Sequence, residues 1–160
     1  MGMDWSGWAV FGLMATGLWT GVMSLAQLFG WTRMDLPLLL GTLFASDPDR
    51  ARGLGFVIHL VNGQVFALGY AAAFASLGHA GWLLGAEFGL LHALVALTVL
   101  VPALPAVHPR MASDRAGPSV GAVLEPPGAL ALNYGARTVV VAVVAHVAYG
   151  ALLGTLLGPR

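Results

Sequence analysis

The stretches GWLLGAEFG (81–89) and GALLGTLLG (150–158) decide the fold of this chain, because each carries glycine at every fourth position. Residues four apart share a helical face, and glycine on that face lets a second backbone approach closely. We call these two rows the glycine ladders and predict a glycine zipper between two antiparallel helices. In that register the pairs would be Gly81 with Gly158, Gly85 with Gly154, and Gly89 with Gly150.

The composition of the chain places these helices in a membrane. Of its 160 residues, 58% are hydrophobic and 9% are charged, whereas about 25% are charged in soluble domains. Four charge-free runs are each long enough to cross a hydrocarbon core of ~30 Å, and their continuous character argues against spanning β-strands. We therefore predict an all-α polytopic bundle, a single domain of residues 1–160 surrounded by membrane lipids. Its four transmembrane helices are expected at about 6–30, 54–77, 82–103 and 138–158.

Arginine marks one side of the membrane. It occurs in the loop between spans 1 and 2 and in the loop between spans 3 and 4, as Arg33, Arg50, Arg52, Arg110, Arg115 and Arg137. The positive-inside rule places both loops in the cytoplasm and both termini outside. The chain lacks Lys and is rich in Ala, Gly and Arg, a composition that we interpret as bacterial. The expected location is the bacterial inner membrane.

The first cytoplasmic loop contains a short apolar segment. Residues 36–44 are apolar but too few to span a bilayer. Asp35 is a suitable N-cap for this segment, and Pro37 fits the first helical turn. The pattern predicts an interfacial helix at 35–45.

The second cytoplasmic loop, residues 104–137, is long and rich in Pro and Gly. A loop of this length is functional or covers the mouth of the bundle. Residues 128–134 are a candidate for a second interfacial helix. With Asp35 of the first loop, His108 and Arg110 form a predicted polar motif at the cytoplasmic face.

Ionisable side chains within the spans are candidates for function, because such groups are costly in hydrocarbon and usually face the bundle interior. They are His59, Glu87, His92 and His146. His92 follows Gly85 by seven residues, which places it on the glycine face of span 3. His146 precedes Gly150 by four residues, so both imidazoles are predicted to point into the seam between spans 3 and 4. Glu87 is ~140° around the helix from His92 and must face span 1 or another chain.

The paired imidazoles suggest a cofactor site as one hypothesis. Two histidines on opposing helices of a bundle can ligate a haem iron axially, and His59 as a third ligand would suit a zinc, copper or iron ion. Ala142 and Gly55 each precede a histidine by one turn and would leave room for a flat macrocycle. However, the glycine ladders draw spans 3 and 4 together, which favours a direct hydrogen bond between His92 and His146, or a small ion, over an intervening haem.

Our first interpretation is that the protein has no cofactor, and two further hypotheses agree with it. In one, the histidines hydrogen-bond to each other or to backbone carbonyls and hold the bundle together. In the other, Glu87, the His92–His146 pair and His59 form a staggered column that carries protons across part of the membrane.

Several functional classes are excluded by missing residue types. The absence of Cys removes disulfides and thiolate chemistry, and the absence of Lys removes Schiff-base cofactors. No Ser-His-Asp grouping or phosphate-binding glycine loop is present, so we expect no enzyme activity, and without a basic tract we expect no nucleic-acid partner. The tryptophans are expected to anchor the spans at the membrane interfaces; they are Trp5, Trp8, Trp19, Trp31 and Trp82.

The chain resembles an uncharacterised family of small bacterial four-span integral membrane proteins. The resemblance implies a bundle with polar motifs near its cytoplasmic face. The segments that carry it are Met34-Asp35-Leu36-Pro37 with Leu40-Gly41, His59 with Gly63 and Tyr70-Ala71, Gly89 with His92, His108-Pro109-Arg110-Met111, Asn133-Tyr134-Gly135, and His146 with Tyr149-Gly150.

The expected function follows from the small size of the bundle, which leaves little room for a transport pathway in one copy. We expect a protein that acts as a homo-oligomer with itself, or as an accessory or structural subunit of another membrane protein. The alternative is an intramembrane metal-, haem- or proton-handling protein centred on His92, His146 and His59.

Overall fold

The protein is described by a computed structural model that covers residues 4–112 and 124–158. Arg115 and Arg160 lie outside the described residues. The helical elements are α1 (Trp5–Leu28), α2 (Leu36–Gly41), α3 (Pro48–Leu77), α4 (Trp82–Val95), a π-helical segment (Ala96–Leu100), α5 (Val101–Val107), a short 3-10 segment (Ala129–Tyr134) and α6 (Arg137–Leu156).

The predicted all-α polytopic fold is confirmed. Four helical stretches are long and apolar enough to cross a membrane: α1, α3, the continuous run Trp82–Val107, and α6. The third span is longer than predicted because the π-helical segment and α5 extend α4. A short helix, α2, lies within the predicted range 35–45 and ends at Gly41.

Proline explains the change of helix type in the third span. Pro102 has no backbone N–H, and its ring clashes with the carbonyl four residues earlier, so the α-helical ladder breaks there. The preceding turn opens into a π-helix, in which the N–H of Val101 donates to the carbonyl of Ala96. The widened turn lies one turn beyond His92.

Helix α6 contacts each of the other three spans. It packs along α4 on one side and along α1 on another, and α1 in turn packs on α3. Helix α3 also carries α2 on its first turns. The four spans therefore follow one another around the bundle in the order α3, α1, α6, α4.

The glycine ladders bring the backbones of α4 and α6 into direct contact. A Cβ atom added at Gly85 would overlap the carbonyl oxygen of Gly150 and would lie 3.1 Å from Cα of Gly154. A Cβ at Gly89 would overlap the carbonyl oxygen of His146. The predicted approach of Gly85 to Gly154 is present, but each glycine sits between two residues of the opposite helix rather than opposite one.

The backbone contact between the ladders loosens at the end of the seam near the α3–α4 hairpin. A Cβ at Gly154 would still overlap the carbonyl oxygen of Gly81. A Cβ at Gly158 would lie in ordinary van der Waals range of Ala80, whose carbonyl oxygen would be 3.6 Å away. The predicted pairing of Gly81 with Gly158 is therefore the loosest of the three.

Helix α2 lies against the first turns of α3 with backbone touching backbone. A Cβ atom at Gly41 would overlap the carbonyl of Ala51, and one at Gly55 would overlap the carbonyl of Pro37. The expectation that Gly55 leaves room for a macrocycle is thus wrong, because the backbone of α2 fills that space.

The segment before α6 is held by polar contacts at the same end of the bundle as α2. Leu130 and Ala131 both adopt left-handed conformations, with φ of 53° and 60°, which is unfavourable for residues with a Cβ. The hydroxyl of Tyr134 donates to the carbonyl of Glu125 at 2.7 Å, and the Arg33 guanidinium donates to the carbonyl of Asn133. Burial, with a smaller contribution from the Glu125 charge, raises the pKa of Tyr134 to about 12.

Candidate functional site

A cavity of about 180 Å³ lies inside the bundle, between α3 and the third span. Its wall is mostly aliphatic and aromatic, and α2 forms its floor. Asn62, Phe66 and Leu100 line it and are themselves exposed, so its rim faces the surroundings of the bundle between α3 and the third span. The polar side chains that reach it are Thr16, Trp19, His59, Asn62, His92, His146 and Tyr149.

His92 and His146 are in contact at the end of this cavity that lies away from α2. Their ring centroids are 4.6 Å apart and the rings are nearly perpendicular, at 73°. The predicted opposition of the two imidazoles is therefore present. Their predicted position inside the seam is not, because the small-residue face of α4 continues from Gly89 to Ala93, which is fully buried. His92 is turned about 100° from Ala93. Its ring packs against Phe66 of α3, with centroids 4.0 Å apart and ring planes tilted by 36°.

The hydrogen bond of His146 determines its tautomer. Its Nδ1 lies 2.7 Å from the carbonyl oxygen of Ala142. A carbonyl only accepts hydrogen bonds, so Nδ1 carries the proton. The Trp19 indole nitrogen, 3.3 Å from the same atom, then makes a ring contact rather than a hydrogen bond. The lone pair of the neutral ring is then on Nε2 of His146.

His59 is separated from the histidine pair by an indole ring. The centroid of Trp19 lies 4.7 Å from that of His59 and 5.4 Å from that of His146. Across residues 4–112 and 124–158, no three His, Cys, Asp or Glu side chains are grouped to hold a metal ion. His59 does not join the pair as the third ligand of the metal hypothesis.

The Nε2 atom of His59 is buried and has no hydrogen-bond partner among the described residues. The residue as a whole is only 9% exposed. A buried polar atom without a partner costs on the order of 1–3 kcal/mol, and such atoms often mark a place for water, an ion or a ligand.

Two tyrosines complete the cluster and were not predicted. The Tyr149 hydroxyl donates to the carbonyl of Gly63 at 2.6 Å, which joins α6 to α3. The Tyr70 hydroxyl is 3.4 Å from Nδ1 of His92. The available signal was spacing: Tyr149 follows His146 by three residues on the same helical face.

The prediction that Trp19 is an interfacial anchor is wrong. Trp19 lies in the middle of α1 and is only 7% exposed. Trp5, Trp31 and Trp82 are exposed near helix ends, which agrees with the anchor interpretation.

Glu87 lies apart from the histidines. It is exposed on the outer surface of α4, beside a shallow depression that also includes His79. In span 1, one of the two neighbours expected for Glu87, the hydroxyls of Thr16 and Thr20 donate to carbonyls of their own helix. The predicted proton column therefore lacks its carboxylate at the cavity.

The histidine pair does not fit an axially ligated haem. Rings whose centroids are 4.6 Å apart are in contact, so a macrocycle between them requires the helices to separate. The backbone contacts of the glycine ladders oppose that separation. We derive no haem chemistry from this pair.

The predicted polar motif of Asp35, His108 and Arg110 holds α2 at both ends. Asp35 caps its first turn by accepting from Leu38 N–H at 2.9 Å. At the other end, His108 Nε2 donates to the carbonyl of Leu39 at 3.0 Å. Arg110 Nη1 donates to the carbonyl of Thr42 at 2.6 Å.

The His108 tautomer is consistent with this role. Its Nδ1 accepts from the N–H of Arg110 at 3.1 Å, so the proton of the neutral ring is on Nε2, where a donor is needed. Both ring nitrogens are satisfied, in contrast to His59. The motif fixes the floor of the cavity.

Comparisons of the chain with protein-family models, with curated proteins and with solved structures found no match.

Proposed function

We propose that this integral membrane protein binds a small apolar molecule that carries a hydrogen-bonding group, inside the cavity between α3 and the third span. The observation that supports the proposal is the cavity itself, which is apolar with three imidazoles on its wall. Apolar cavities with a few convergent polar groups are the usual form of small-molecule sites. The proposed role is binding, without a catalytic step.

The size of the cavity suggests the size of the bound group. A cavity of about 150 Å³ accepts a benzene molecule, and this one is about 180 Å³. One six-membered ring, or the end of an acyl chain, is therefore the expected occupant. The lone pair of His146 Nε2 would accept a hydrogen bond from a hydroxyl group on that occupant.

A cavity-filling substitution tests the proposal. Ala96 lines the cavity, so Ala96→Leu fills it, whereas Ala72→Leu adds the same atoms on the exposed face of α3. p-Cresol and toluene, which differ by one hydroxyl, serve as probes of the purified protein in lipid nanodiscs. We expect p-cresol to raise Tm more than toluene does in the parent and in Ala72→Leu, and to leave Ala96→Leu unchanged.

Ligand at ten times Kd adds about 1.4 kcal/mol to stability, which a thermal shift detects. Equal shifts in Ala96→Leu and Ala72→Leu would contradict binding in this cavity. An organic extract of protein purified from its native membrane, examined by mass spectrometry, identifies the natural occupant. The absorbance spectrum and metal content of the same sample test the metal and haem hypotheses.

We also propose that the protein assembles, as a homo-oligomer or as an accessory subunit in the bacterial inner membrane, with α2 on the cytoplasmic side and both termini outside. Gly17 and Gly21 of α1 are exposed, and an added Cβ atom at either would meet nothing within 4 Å. Glycines four apart on an open face are typical of helix association in membranes. Glu87 is likewise exposed, although charged groups within spans usually face a partner.

Oligomeric state in mild detergent tests this second proposal. Gly21→Leu is expected to shift the protein to a smaller species, because it blocks close approach at the open face of α1. Gly69→Leu on α3 is the matched control, since Gly69 also has open space around it. A parent protein that elutes as a monomer without any partner would contradict assembly.

A further inference from the structure

A second chamber lies next to the cavity, toward the α2 end of the bundle. It has a volume of about 470 Å³ and occupies the space between α1, the start of α2 and the first turns of α3. We call it the vestibule and define it by Ser24 and Gln27 of α1, Asp35, and Arg52 and Phe56 of α3. The cavity and the vestibule share part of their walls, including Trp19 and His59.

The two chambers follow each other along helices α1 and α3. On α3 the vestibule extends from Arg52 to His59 and the cavity from His59 to Phe66. At 1.5 Å per residue, each chamber covers about 10 Å of α3. A site that joined them at His59 would be about 20 Å long.

The charges of the vestibule cancel. Arg52 Nε lies 3.0 Å from Asp35 Oδ2, and its Nη1 lies 3.6 Å from Asp49. The ion pair offers both donors and acceptors to a further group but no net attraction for an anion. A neutral or zwitterionic head group with hydroxyls matches this surface better than a carboxylate does.

Hydrogen-bonding capacity remains along the vestibule. The side-chain nitrogen of Gln27 donates to the carbonyl of Met34 at 2.7 Å, which leaves its oxygen as an acceptor. The Ser24 hydroxyl lines the vestibule and belongs to an exposed residue. At the junction with the cavity, the buried Nε2 of His59 has no hydrogen-bond partner among the described residues.

We propose that the cavity and the vestibule form one site for an amphiphile, with a neutral, hydroxyl-bearing head in the vestibule, a hydrogen bond to His59 and an apolar end in the cavity. This inference rests on the proposed binding function and specifies its ligand class. The amphiphile lies along α1 and α3, with its head at the level of Asp35 and Arg52.

Photolabelling of the protein in nanodiscs tests the proposed amphiphile site. The probes are a medium-chain monoacylglycerol with a diazirine at the end of the chain and the fatty acid with the same chain and diazirine. We expect the monoacylglycerol to label cavity residues such as Leu97 more strongly than the fatty acid does. Ser24→Phe, which fills the vestibule, is expected to reduce that labelling at least fivefold, whereas Leu25→Phe on the exposed face of α1 leaves it unchanged.

His59→Phe supplies a second measurement that keeps the ring volume. We expect weaker labelling by the monoacylglycerol and an unchanged thermal shift with toluene, because only the polar contact is removed. Stronger labelling by the fatty acid than by the monoacylglycerol would overturn the proposal of an amphiphile site. Equal labelling in Ser24→Phe and Leu25→Phe would overturn it as well.

The two proposals fail in different ways. If p-cresol still stabilises the parent but not Ala96→Leu, while vestibule substitutions have no effect on labelling, the cavity binds a ligand and the vestibule is not part of the site. If p-cresol fails as well, the proposed binding function is wrong.

Discussion

Helix α4 contacts α6 and α3 in opposite ways. Toward α6 it presents glycine, and the two backbones touch at Gly85 and Gly150. Toward α3 it presents rings, and Phe88 stacks on Phe74 with centroids 5.6 Å apart and an angle of 15°. The first contact has no room for an added atom, whereas the second is bridged by large side chains and opens into the cavity beyond His92.

The difference explains how a small bundle keeps a cavity. Lipid tails are as apolar as the side chains, so close packing rather than the hydrophobic effect holds helices together in a bilayer. The α4–α6 seam provides close packing where Gly85 and Gly89 meet Gly150 and Gly154. The α3–α4 side is held apart by aromatic rings toward the hairpin, and the space between the helices stays unfilled toward α2.

A bulky residue in the seam should have the largest effect on stability. Gly85→Leu places a side chain where the carbonyl of Gly150 lies, and overpacking against a backbone costs about 3 kcal/mol or more. Gly69→Leu is the control, because an added Cβ at Gly69 would meet nothing within 4 Å. Unfolding in mixed micelles titrated with SDS measures both. Equal midpoints for the two variants would show that the seam is not close-packed.

Removal of an aromatic ring on the α3 side of α4 should lower the free energy of unfolding by less. Phe74 is 1% exposed, and Phe→Ala in water-soluble cores costs about 3–5 kcal/mol. Here we expect about 2 kcal/mol, because the unfolded chain in a bilayer keeps the ring in an apolar phase and only packing is lost. The same SDS titration checks this value.

Phe44, which is 70% exposed, is the control for that substitution, and Phe44→Ala should leave the midpoint unchanged. A loss in Phe74→Ala as large as that in Gly85→Leu would remove the contrast between the two sides of α4.

Loss of one hydrogen bond across the cavity should have the smallest effect. Tyr149→Phe removes the donor to the carbonyl of Gly63 and keeps the ring. Hydrogen bonds between membrane helices contribute about 0.6 kcal/mol on average. Ser76→Ala, which removes an exposed hydroxyl bonded within α3, is the matched control. A cost above about 2 kcal/mol would mean that polar contacts hold α3 in place as firmly as glycine holds α4.

Features with a local cause were predicted well. The spans follow from charge-free runs, α2 follows from Asp35 and Pro37, and the approach of Gly85 to Gly154 follows from a four-residue repeat. Each depends on residues within one or two helical turns, where geometry is regular.

The candidate site was predicted only in part. The opposition of His92 and His146 was derived from the ladders, but the separation of His59 by Trp19 was not. Trp19 comes from α1, whose position relative to α3 has no repeat to reveal it. Gly55 was misassigned for the same reason, because its neighbour Pro37 belongs to another element.

The amino-acid sequence by itself determined that this chain forms four membrane spans and that α4 and α6 meet through glycine, since hydrophobic length and helical periodicity are local properties. Only the tertiary structure decided that a cavity remains between α3 and the third span, and that His59 stands between this cavity and the vestibule. A cavity is the space that several helices leave unfilled. Its existence depends on all their positions together, and no single segment encodes it.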